Sequence, residues 1–464
     1  MMPALPTRAV RTLAFRHVVY PAALAVTGQG ATLRYLRRLR GAEHDPPARV
    51  RERQRRRLLR LVARSRSGSE YYGEVLPALE PDTPLTDALA RIPVLERRTL
   101  QESGARLRVT SFRGRVATKT TGGSTGAPVR VVKNADAVAR ERAASWLGYG
   151  WFGIRPGDRS VRFWGGATTA SRRLSAVAAD GAMNRTTFAA FAFDESDLAL
   201  YWERCLAIRP RWIYGYVSMI EEFARFLAAR GCDGSRLGLA AVVTTAEALT
   251  EVQRGLISDV FGAPVQDEYG CGEVGPIAYE CPQGSMHLMA ENLIVEVVDD
   301  AGERMAPGGS GEILVTDLGN VAMPLIRYRI GDFGTVGMPC PCGRTLPVLQ
   351  RVWGRAYDFV TDAGGRRYHG EFFMYLFEDL RRDGLAVDQF QVTQTPEGAI
   401  RIDVTGVASG RSERALDAIR NAAAARLPDV PIAARFVDEI EREASGKMRV
   451  IVNEAAGRTA APVA

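Results

Sequence analysis

Short apolar runs alternate with amphipathic stretches through the middle of the chain. The helical spacing of apolar residues predicts three helices, and compact apolar runs between them predict three strands. The helices are Ala135–Leu147, Glu195–Ala207 and Ser218–Ala229, and the strands are Ser160–Trp164, Trp212–Tyr214 and Ala240–Thr244. Strands that alternate with helices are typical of layers around a largely parallel sheet, so we expect an α/β fold here.

The two ends of the chain follow different patterns. Residues 1–66 are rich in arginine and place apolar residues such as Leu58, Leu61 and Val62 at helical intervals, which predicts helices. After a turn at Ala363-Gly364-Gly365, the remaining residues alternate strands and helices as a small α+β domain does. We therefore expect a helical N-terminal segment, an α/β core and a small C-terminal domain.

Composition and charge narrow the function classes. The 464 residues are 46% hydrophobic and 25% charged, which suits a globular protein with a substantial core. The net charge of +8 is concentrated near the N-terminus without interleaved aromatic residues, so nucleic-acid binding is disfavoured. The arginine-rich segment has two interpretations: a solvated face of helices packed on the core, or weak contact with an anionic membrane or an acidic partner.

Cysteine usage and hydropathy bear on the compartment. Six cysteines without a secretory pattern do not predict a disulfide framework, and they favour a reducing cytoplasm. The apolar run Val18–Val26 is interrupted by Pro21 and is about half as long as the ~18 residues that a spanning helix needs. We therefore expect no transmembrane segment and a cytoplasmic protein.

A Ser/Thr/Gly-rich stretch, residues 118–129, is the strongest chemical signal. Its glycines and hydroxyls allow backbone N–H groups and side chains to converge on one anion, as a phosphate cradle requires. It lies between a strand ending near Val116 and the β-rich Val129–Val132, which predicts a hairpin. A Walker-type loop is excluded because Met448 follows the only Gly-Lys pair, at Gly446-Lys447. A flexible surface turn is the alternative.

Lysine is rare in this chain. Only Lys119, Lys133 and Lys447 are present among many arginines. A lysine retained in such a chain can present a compact ammonium to a crowded site, where arginine would not fit. Chance retention is the alternative.

A second chemical pattern involves four metal-ligating side chains. Cys281 and His287 form one short loop, and Cys340-Pro341-Cys342 forms another, followed by Gly343 at a predicted tight turn. Three thiolates and one imidazole suit a tetrahedral structural Zn²⁺. Unligated thiols and a redox role are the alternatives.

Several motifs, in order along the chain, resemble those of the adenylate-forming superfamily of acyl-CoA synthetases, adenylation domains and luciferases. The stretch Thr121–Pro128 resembles its signature loop, most closely that of the phenylacetate-CoA ligase branch and its relatives in capsular polysaccharide loci. The other matching segments are Thr244–Leu249, Tyr269–Glu273, Ile326–Asp332, Val352–Arg355 and Ala444–Arg449. The resemblance also extends to a structural zinc held by three cysteines and one histidine in some relatives.

The resemblance implies roles for individual residues. ATP phosphates would be bound by Thr121, Gly122, Gly123, Ser124, Thr125 and Gly126, with Thr125 also catalytic. The adenine would lie against Ala246, Glu247, Tyr269 and Gly270, the ribose on Asp332, and phosphate or ribose near Arg355. Glu273 would hold Mg²⁺ and act in catalysis, and Lys447 would be the catalytic lysine. The acid pocket would include Trp164, Tyr214, Gly215, Tyr216 and Cys271.

Simpler interpretations accompany these roles. Glu247 also suits a helix N-terminus, Glu273 a structural acid, Asp332 a turn and Lys447 a solvated tail, and core packing would explain the pocket aromatics. Two positions depart from the family pattern. Gly272 lacks a hydroxyl, and Tyr357-Asp358 lacks the first hinge carboxylate.

The resemblance also implies an architecture and a reaction. We expect a helical basic extension (1–90), an adenylation core (91–354), a hinge (355–358) and a small mobile α+β domain with Lys447 (359–464). The implied reaction uses ATP and Mg²⁺ to convert a carboxylic acid, aryl or arylacetic, to acyl-AMP and then transfers the acyl group to coenzyme A. The alternatives are an amide-forming or carrier-protein-loading synthetase, a nucleotidyl transferase, or a non-catalytic ATP-binding protein. The oligomeric state is left open.

Overall fold

The structure, a computed structural model, describes most of the chain. The residues described are 12–123, 126–164, 177, 179–189, 195–355, 359–361, 367–369, 373, 376–377, 380, 384–385, 387–407, 412–425, 427, 430–441 and 450–454. The α-helices are α1 (Tyr20–Val26), α2 (Thr32–Ala42), α3 (Pro47–Gly68), α4 (Glu70–Val75), α5 (Leu85–Arg91), α6 (Arg97–Ser103), α7 (Ala135–Gly150), α8 (Glu195–Ile208), α9 (Val217–Ala229), α10 (Glu251–Phe261) and α11 (Glu413–Ala424). A π-helical segment, Phe15–Val19, precedes α1, and a 3₁₀ turn covers Gly234–Leu237.

The strands form one large sheet and three small ones. They are β1 (Val116–Gly123), β2 (Gly126–Asn134), β3 (Ser160–Trp164), β4 (Arg185–Ala189), β5 (Trp212–Tyr216), β6 (Ala241–Thr245), β7 (Val265–Cys271), β8 (Gly275–Glu280), β9 (Met286–Leu288), β10 (Leu293–Val298), β11 (Ser310–Asp317), β12 (Tyr328–Val336), β13 (Val348–Arg355), β14 (Phe359–Thr361), β15 (Arg367–His369), β16 (Val387–Gln394), β17 (Ile400–Val407), β18 (Ile432–Phe436) and β19 (Ile451–Asn453). The large sheet has the order β10-β11-β12-β13-β9-β8-β7-β6-β5-β3-β4 among the described residues.

The large sheet changes direction at β7. Strands β4, β3, β5, β6 and β7 are paired in parallel, whereas β7, β8, β9 and β13 pair antiparallel. Helices α8, α9 and α10 connect the parallel strands, as a parallel sheet requires. The α/β prediction is confirmed, because each predicted helix and strand overlaps one that is observed.

Helix α7 lies between the sheet and the N-terminal helices. Its buried residues are mostly small, including Ala139, Ala143 and Ala144, so neighbouring backbones approach closely on both sides. At Gly148 a Cβ would lie 2.2 Å from the Tyr279 ring, so no larger residue fits. This packing places α7 directly on the strands that carry the candidate site.

The N-terminal segment is part of this core. Tyr20 and Leu24 of α1 are fully buried, and the Trp146 indole N–H donates to the Tyr20 hydroxyl at 2.6 Å. Farther along, Arg53 pairs with Glu291 at 2.5 Å, so some of the arginines anchor the helices instead of facing solvent. Among the described residues, the molecule has no helix that is both long and apolar enough for a membrane span.

The chain divides into two compact units. The first comprises Met1–Ile330 and Gly334–Val352, and it includes the N-terminal helices. The second comprises Gly331–Phe333 and Trp353–Ala464, with the hairpin β14–β15, helix α11 and a sheet of order β18-β17-β16-β19. Its core includes Phe373, Val392, Ile402 and Ile419, which makes it the small α+β domain that was expected.

Candidate active site

Most of the predicted phosphate loop lies in the two strands of a β-hairpin. Strands β1 and β2 pair antiparallel from Val116 with Asn134 to Gly123 with Gly126, and the register shifts between Thr121 and Gly123. The hairpin prediction is therefore confirmed, but its first strand begins at Val116, where a strand was predicted to end. Thr121, Gly122, Gly123 and Gly126 belong to the paired strands, while Ser124 and Thr125 lie outside the described residues.

Two of the three lysines meet at a single carboxylate. The Lys119 ammonium on β1 is 2.7 Å from Glu141 Oε2, and the Lys133 ammonium on β2 contacts Glu141 Oε1. Lys133 is fully buried and lies 3.8 Å from Asp317 Oδ2. Burial alone would lower the pKa of Lys133, but the carboxylates of Glu141 and Asp317 raise it, so the ammonium stays charged. Sequence analysis identified the lysines but missed Glu141.

Glu141 also lies against Gly275, two residues after the Tyr269–Glu273 motif. Gly275, the first residue of β8, has φ +87°, and a Cβ there would lie 2.7 Å from the Glu141 carboxyl carbon. Only glycine allows both this backbone conformation and this approach. Glu141 thus connects the signature hairpin with the segment that directly follows Tyr269–Glu273.

The adenine-side residues lie on adjacent parallel strands. Thr245 at the end of β6 is in register with Glu268 of β7, so Ala246 and Tyr269 follow at neighbouring strand ends. Ala246 has φ +69°, a left-handed conformation that is costly for a residue with a Cβ and is concentrated at functional sites. The carboxyl ends of parallel strands are where α/β sheets bind ligands.

Glu247 stabilises a helix other than the one expected. Its carboxylate accepts hydrogen bonds from the backbone N–H and the hydroxyl of Ser218, at 2.7 and 3.1 Å, in the first turn of α9. The next helix, for which Glu247 was a candidate N-terminal residue, instead begins at Glu251. Thr250 and Gln253 form a capping box there, and this signal was present in the sequence.

The predicted acid-pocket aromatics stack on one another. Trp164 lies 4.5 Å from Tyr216 and 5.6 Å from Tyr214 between ring centroids, with both pairs nearly parallel. Gly215 permits this arrangement, because a Cβ there would lie 2.8 Å from the backbone of Phe163. Cys271 ends β7 and is half-buried. Tyr216 also contributes to a buried apolar cluster, so core packing explains part of this arrangement.

Two ionisable groups beside these aromatics were not anticipated. Glu268 accepts hydrogen bonds from the hydroxyls of Tyr149 at 2.7 Å and Tyr214 at 3.1 Å, and burial raises its pKa. The Arg162 guanidinium lies 5.5 Å from the Trp164 ring centroid, and burial lowers its pKa to about 10. Arg162 lies on a predicted strand, whereas Glu268 lies on β7, which was not predicted. An apolar run does not reveal isolated polar positions.

Asp267 is a second buried carboxyl in β7. It accepts from the Thr244 hydroxyl at 3.0 Å, while Glu280 accepts from the Asp267 backbone N–H at 2.9 Å and pairs with Arg254. Burial and, next, the charge of Glu280 raise the pKa of Asp267 to about 7. Between pH ~4 and ~7 the folded protein therefore keeps a proton on Asp267 that the unfolded chain releases.

We expect this proton to make stability depend on pH. With the folded pKa raised, the stabilisation is complete below the unfolded value near pH ~4 and is lost as the pH rises through ~7. Asp267→Asn removes the titration and should be more stable than wild type by roughly 2 kcal/mol above pH ~8, allowing for partial exposure. Urea unfolding across this range measures the difference, and Asp259→Asn, an exposed acid on α10, is the control. A constant difference at every pH would contradict the prediction.

Glu273, the predicted Mg²⁺ ligand, is paired with an arginine. Arg97 Nη1 on α6 lies 2.7 Å from Glu273 Oε1, and the Tyr328 hydroxyl is 3.4 Å from the same oxygen. The Glu273 side chain is only 6% exposed. A carboxylate is a suitable Mg²⁺ ligand, but the charge of Glu273 is already balanced by Arg97. Sequence analysis missed Arg97.

The other predicted residues are only partly described. Asp332 lies in β12, and Arg355 is the last residue of β13. Positions 356–358 of the predicted hinge and Lys447 lie outside the described residues.

The four predicted zinc ligands converge. The donor atoms of Cys281, His287, Cys340 and Cys342 all lie within 4.8 Å of one another. Cys281 Sγ is 3.7 Å from Cys340 Sγ, and Cys342 Sγ is 3.2 Å from His287 Nε2. His287 Nδ1 lies 3.2 Å from the Leu346 carbonyl oxygen, which orients the ring with Nε2 toward the thiols.

Two of the four donors have pKa shifts that favour the deprotonated form, which is the form that binds a metal. Burial lowers the pKa of His287, so its ring is neutral. Burial opposes ionisation of Cys340, but hydrogen bonds from Ser285 and from the Cys342 N–H lower its pKa. Burial raises the pKa of Cys281 to about 11, so this thiol would lose its proton on binding a metal. The donor set fits a four-coordinate Zn²⁺ without an open position.

Comparison with known proteins agrees with these motifs. No family model matches the chain. Protein CapK of Staphylococcus aureus is 23% identical over 303 residues, which cover 64% of this chain and 65% of CapK. The phenylacetate-coenzyme A ligase of Thermus thermophilus is 34% identical over 167 residues, or 34% of this chain and 37% of the ligase. The chain thus matches less than two thirds of the length of either relative.

The fold has a solved counterpart. The structure of a 2-hydroxyisobutyryl-CoA ligase in the postadenylation state superposes with a TM-score of 0.72 at 22% identity, covering 90% of this chain and 92% of that one. The large domain and the small α+β domain therefore correspond to the adenylate-forming fold. The chain is thus similar in sequence to CapK and to phenylacetate-coenzyme A ligases, and it shares the fold of an adenylate-forming ligase.

Proposed function

We propose that this protein activates a carboxylic acid with ATP, forms an acyl-AMP with release of pyrophosphate, and passes the acyl group to an acceptor, first of all coenzyme A. The observation that carries the proposal is the position of Glu141. Its carboxylate binds both lysines of the signature hairpin and abuts Gly275 beside the Tyr269–Glu273 motif. Two motifs far apart in sequence thereby meet at the carboxyl end of a parallel sheet.

The first half-reaction needs no protein nucleophile. A substrate carboxylate attacks the α-phosphorus of ATP, the bond to the bridging oxygen breaks, and pyrophosphate leaves. Hydroxyls and backbone N–H groups of residues 121–126 would bind the phosphates, Ala246 and Tyr269 would flank the adenine, and Asp332 would accept from the ribose hydroxyls. Lys447 would neutralise the charge that develops on the α-phosphate.

Glu273 would hold Mg²⁺, which screens the triphosphate charge when bound. Because Arg97 pairs with Glu273, its guanidinium would have to turn away from the carboxylate, and phosphate oxygens are its natural new partner. The metal at Cys281, His287, Cys340 and Cys342 would be structural, since four protein donors leave no position for a reacting water.

The chemistry of the pocket informs the choice of acid. Stacked Trp164, Tyr214 and Tyr216 favour an aryl or arylacetic acid. Arg162 and Glu268 add a guanidinium and a carboxyl group beside these rings. An acid panel should therefore include aryl acids with hydroxyl, amino or second carboxyl groups as well as unsubstituted ones.

We expect acid-dependent pyrophosphate release from Mg-ATP, reduced about 100-fold in Lys447→Ala because one charge-stabilising group is lost from the transition state. Lys447→Arg, which keeps the charge but not the compact ammonium, is the matched variant. Assays with coenzyme A, amines and carrier proteins then identify the acceptor. ATP binding without pyrophosphate release from any acid would contradict the proposal and favour a non-catalytic role.

A further inference from the structure

An apolar stripe lies on the solvent side of the N-terminal helices. Eight large apolar side chains are strongly exposed among the described residues, and four of them lie within residues 13–26. They are Leu13 at 51% exposure, Val18 at 65%, Val19 at 40% and Val26 at 80%. Ala14, Ala22 and Ala25 are also exposed. We call these seven residues the N-terminal apolar stripe.

The stripe follows from the helical geometry of this segment. Tyr20 and Leu24 turn inward onto α7 and are fully buried, so residues about four apart on the other side of the helix face outward. The outward positions of a surface helix normally carry polar residues, but within residues 13–26 all exposed positions except His17 are apolar. Such a concentrated exposed patch marks an interaction site more often than an ordinary surface.

The sequence around the stripe is basic. The first 42 residues contain seven arginines and no acidic residue, so nearly all of the net charge of +8 arises there. Helix α2 packs on α7 through Tyr35, Leu36 and Leu39, as α1 does through Tyr20 and Leu24. The exposed arginines of α2 are Arg34, Arg37, Arg38 and Arg40. Both helices bury their inner faces on the same helix, and only the short segment 27–31 connects them.

We propose that this face binds the surface of an anionic lipid bilayer, with the N-terminal apolar stripe at the boundary of headgroups and acyl chains and the α2 arginines on the headgroup phosphates. Apolar side chains together with basic ones are the combination that interfacial helices use. A soluble polyanion would pair with the arginines but would leave the valines exposed to water. A second copy of the chain would place two acid-free, arginine-rich segments against each other, which repels.

The binding would be peripheral and reversible. The helical segment is too short to span a bilayer, and Pro21 lies in its first α-helical turn. Binding would leave α7 and the strand ends of the candidate site on the other side of the two helices. An enzyme held in this way would act on acids or acceptors at the membrane surface, and this consequence alone rests on the proposed function.

The test is flotation of the full chain with phosphatidylcholine vesicles that either contain or lack phosphatidylglycerol. We expect binding only to the anionic vesicles, weakened by high salt. Val18→Asp/Val26→Asp should weaken binding by roughly tenfold or more, as should Arg37→Gln/Arg38→Gln, since each arginine near an anionic surface contributes several-fold in affinity. Circular dichroism and the unfolding midpoint confirm that the variants are folded.

Matched controls separate the stripe from general exposure and charge. Met338→Asp changes a side chain as exposed as Val18, at 65%, outside this segment, and Arg51→Gln/Arg60→Gln removes two exposed arginines of α3. Both controls should bind as wild type does. Absence of binding to anionic vesicles, equal binding to neutral ones, or a change of oligomeric mass in Val18→Asp/Val26→Asp without any vesicle binding would each overturn the proposal. These readouts require no catalysis, so they stand apart from the pyrophosphate assay.

Discussion

Lys133→Met is expected to lower the free energy of unfolding of the first unit by about 3–5 kcal/mol, the cost of removing one partner from a buried ion pair. The Lys133 side chain has no exposure and lies between Glu141 and Asp317. Methionine has a similar volume but no charge. The decrease in the free energy of unfolding therefore measures the cost of leaving the Glu141 and Asp317 carboxylates in the interior without this cation. Urea unfolding followed by tryptophan fluorescence measures it.

Lys119→Met is the matched control, because it removes the same kind of charge from the same carboxylate. The Lys119 side chain is 37% exposed, so solvent weakens its ion pair and the expected loss is about 1 kcal/mol or less. Equal losses in the two variants would contradict the assignment of Lys133 as the buried member. Glu141→Gln should resemble Lys133→Met, because it leaves Lys133 with only the more distant Asp317.

Cys340→Ser is expected to abolish zinc binding, from about one ion per chain in the wild type to nearly none, since a structural site needs all four donors. The loss should also destabilise the protein, by about 4 kcal/mol if zinc is present at a thousand times its dissociation constant. Elemental analysis of protein purified without added metal, together with urea unfolding in the presence and absence of a chelator, measures both effects.

Cys232→Ser is the control, because Cys232 is a half-buried cysteine outside the cluster. It should keep the zinc content and the stability of the wild type. Two results would contradict the prediction: an unchanged zinc content in Cys340→Ser, or modification of the cluster thiols in the native protein as fast as that of Cys232.

The order of elements could be predicted from the sequence, whereas the ion pairs of the site could not. Ser160–Trp164 was predicted with the bounds that the structure gives, because local apolar patterns determine local structure. Arg97 and Glu273 are 176 residues apart, and no local pattern indicates which carboxylate an arginine will meet. The sequence likewise does not distinguish Glu141 from the other polar residues of α7, because its two lysine partners lie on the hairpin.

The meeting of the four zinc ligands could be predicted from the sequence, whereas the contact that Glu247 makes could not. Cysteine and histidine are rare in this chain, so their clustering in two short loops was enough to predict that they meet. Glutamate is common, and a carboxylate after a strand suits a ligand site and a helix N-terminus equally. In the folded chain Glu247 binds Ser218 of the neighbouring helix, a contact that requires knowledge of which strands are adjacent.

The contacts of Glu141 set a condition for exchanging parts between relatives. A signature loop transferred from a relative would fold against the Glu141 carboxylate of α7. In this chain that carboxylate binds two ammonium groups and packs against Gly275, which has no side chain. A loop without both lysines would leave that anion unpaired, and any side chain at position 275 would displace it. The smallest unit that can be exchanged as a whole is therefore the hairpin together with α7 and the start of β8, so a working chimera should have its junctions outside all three.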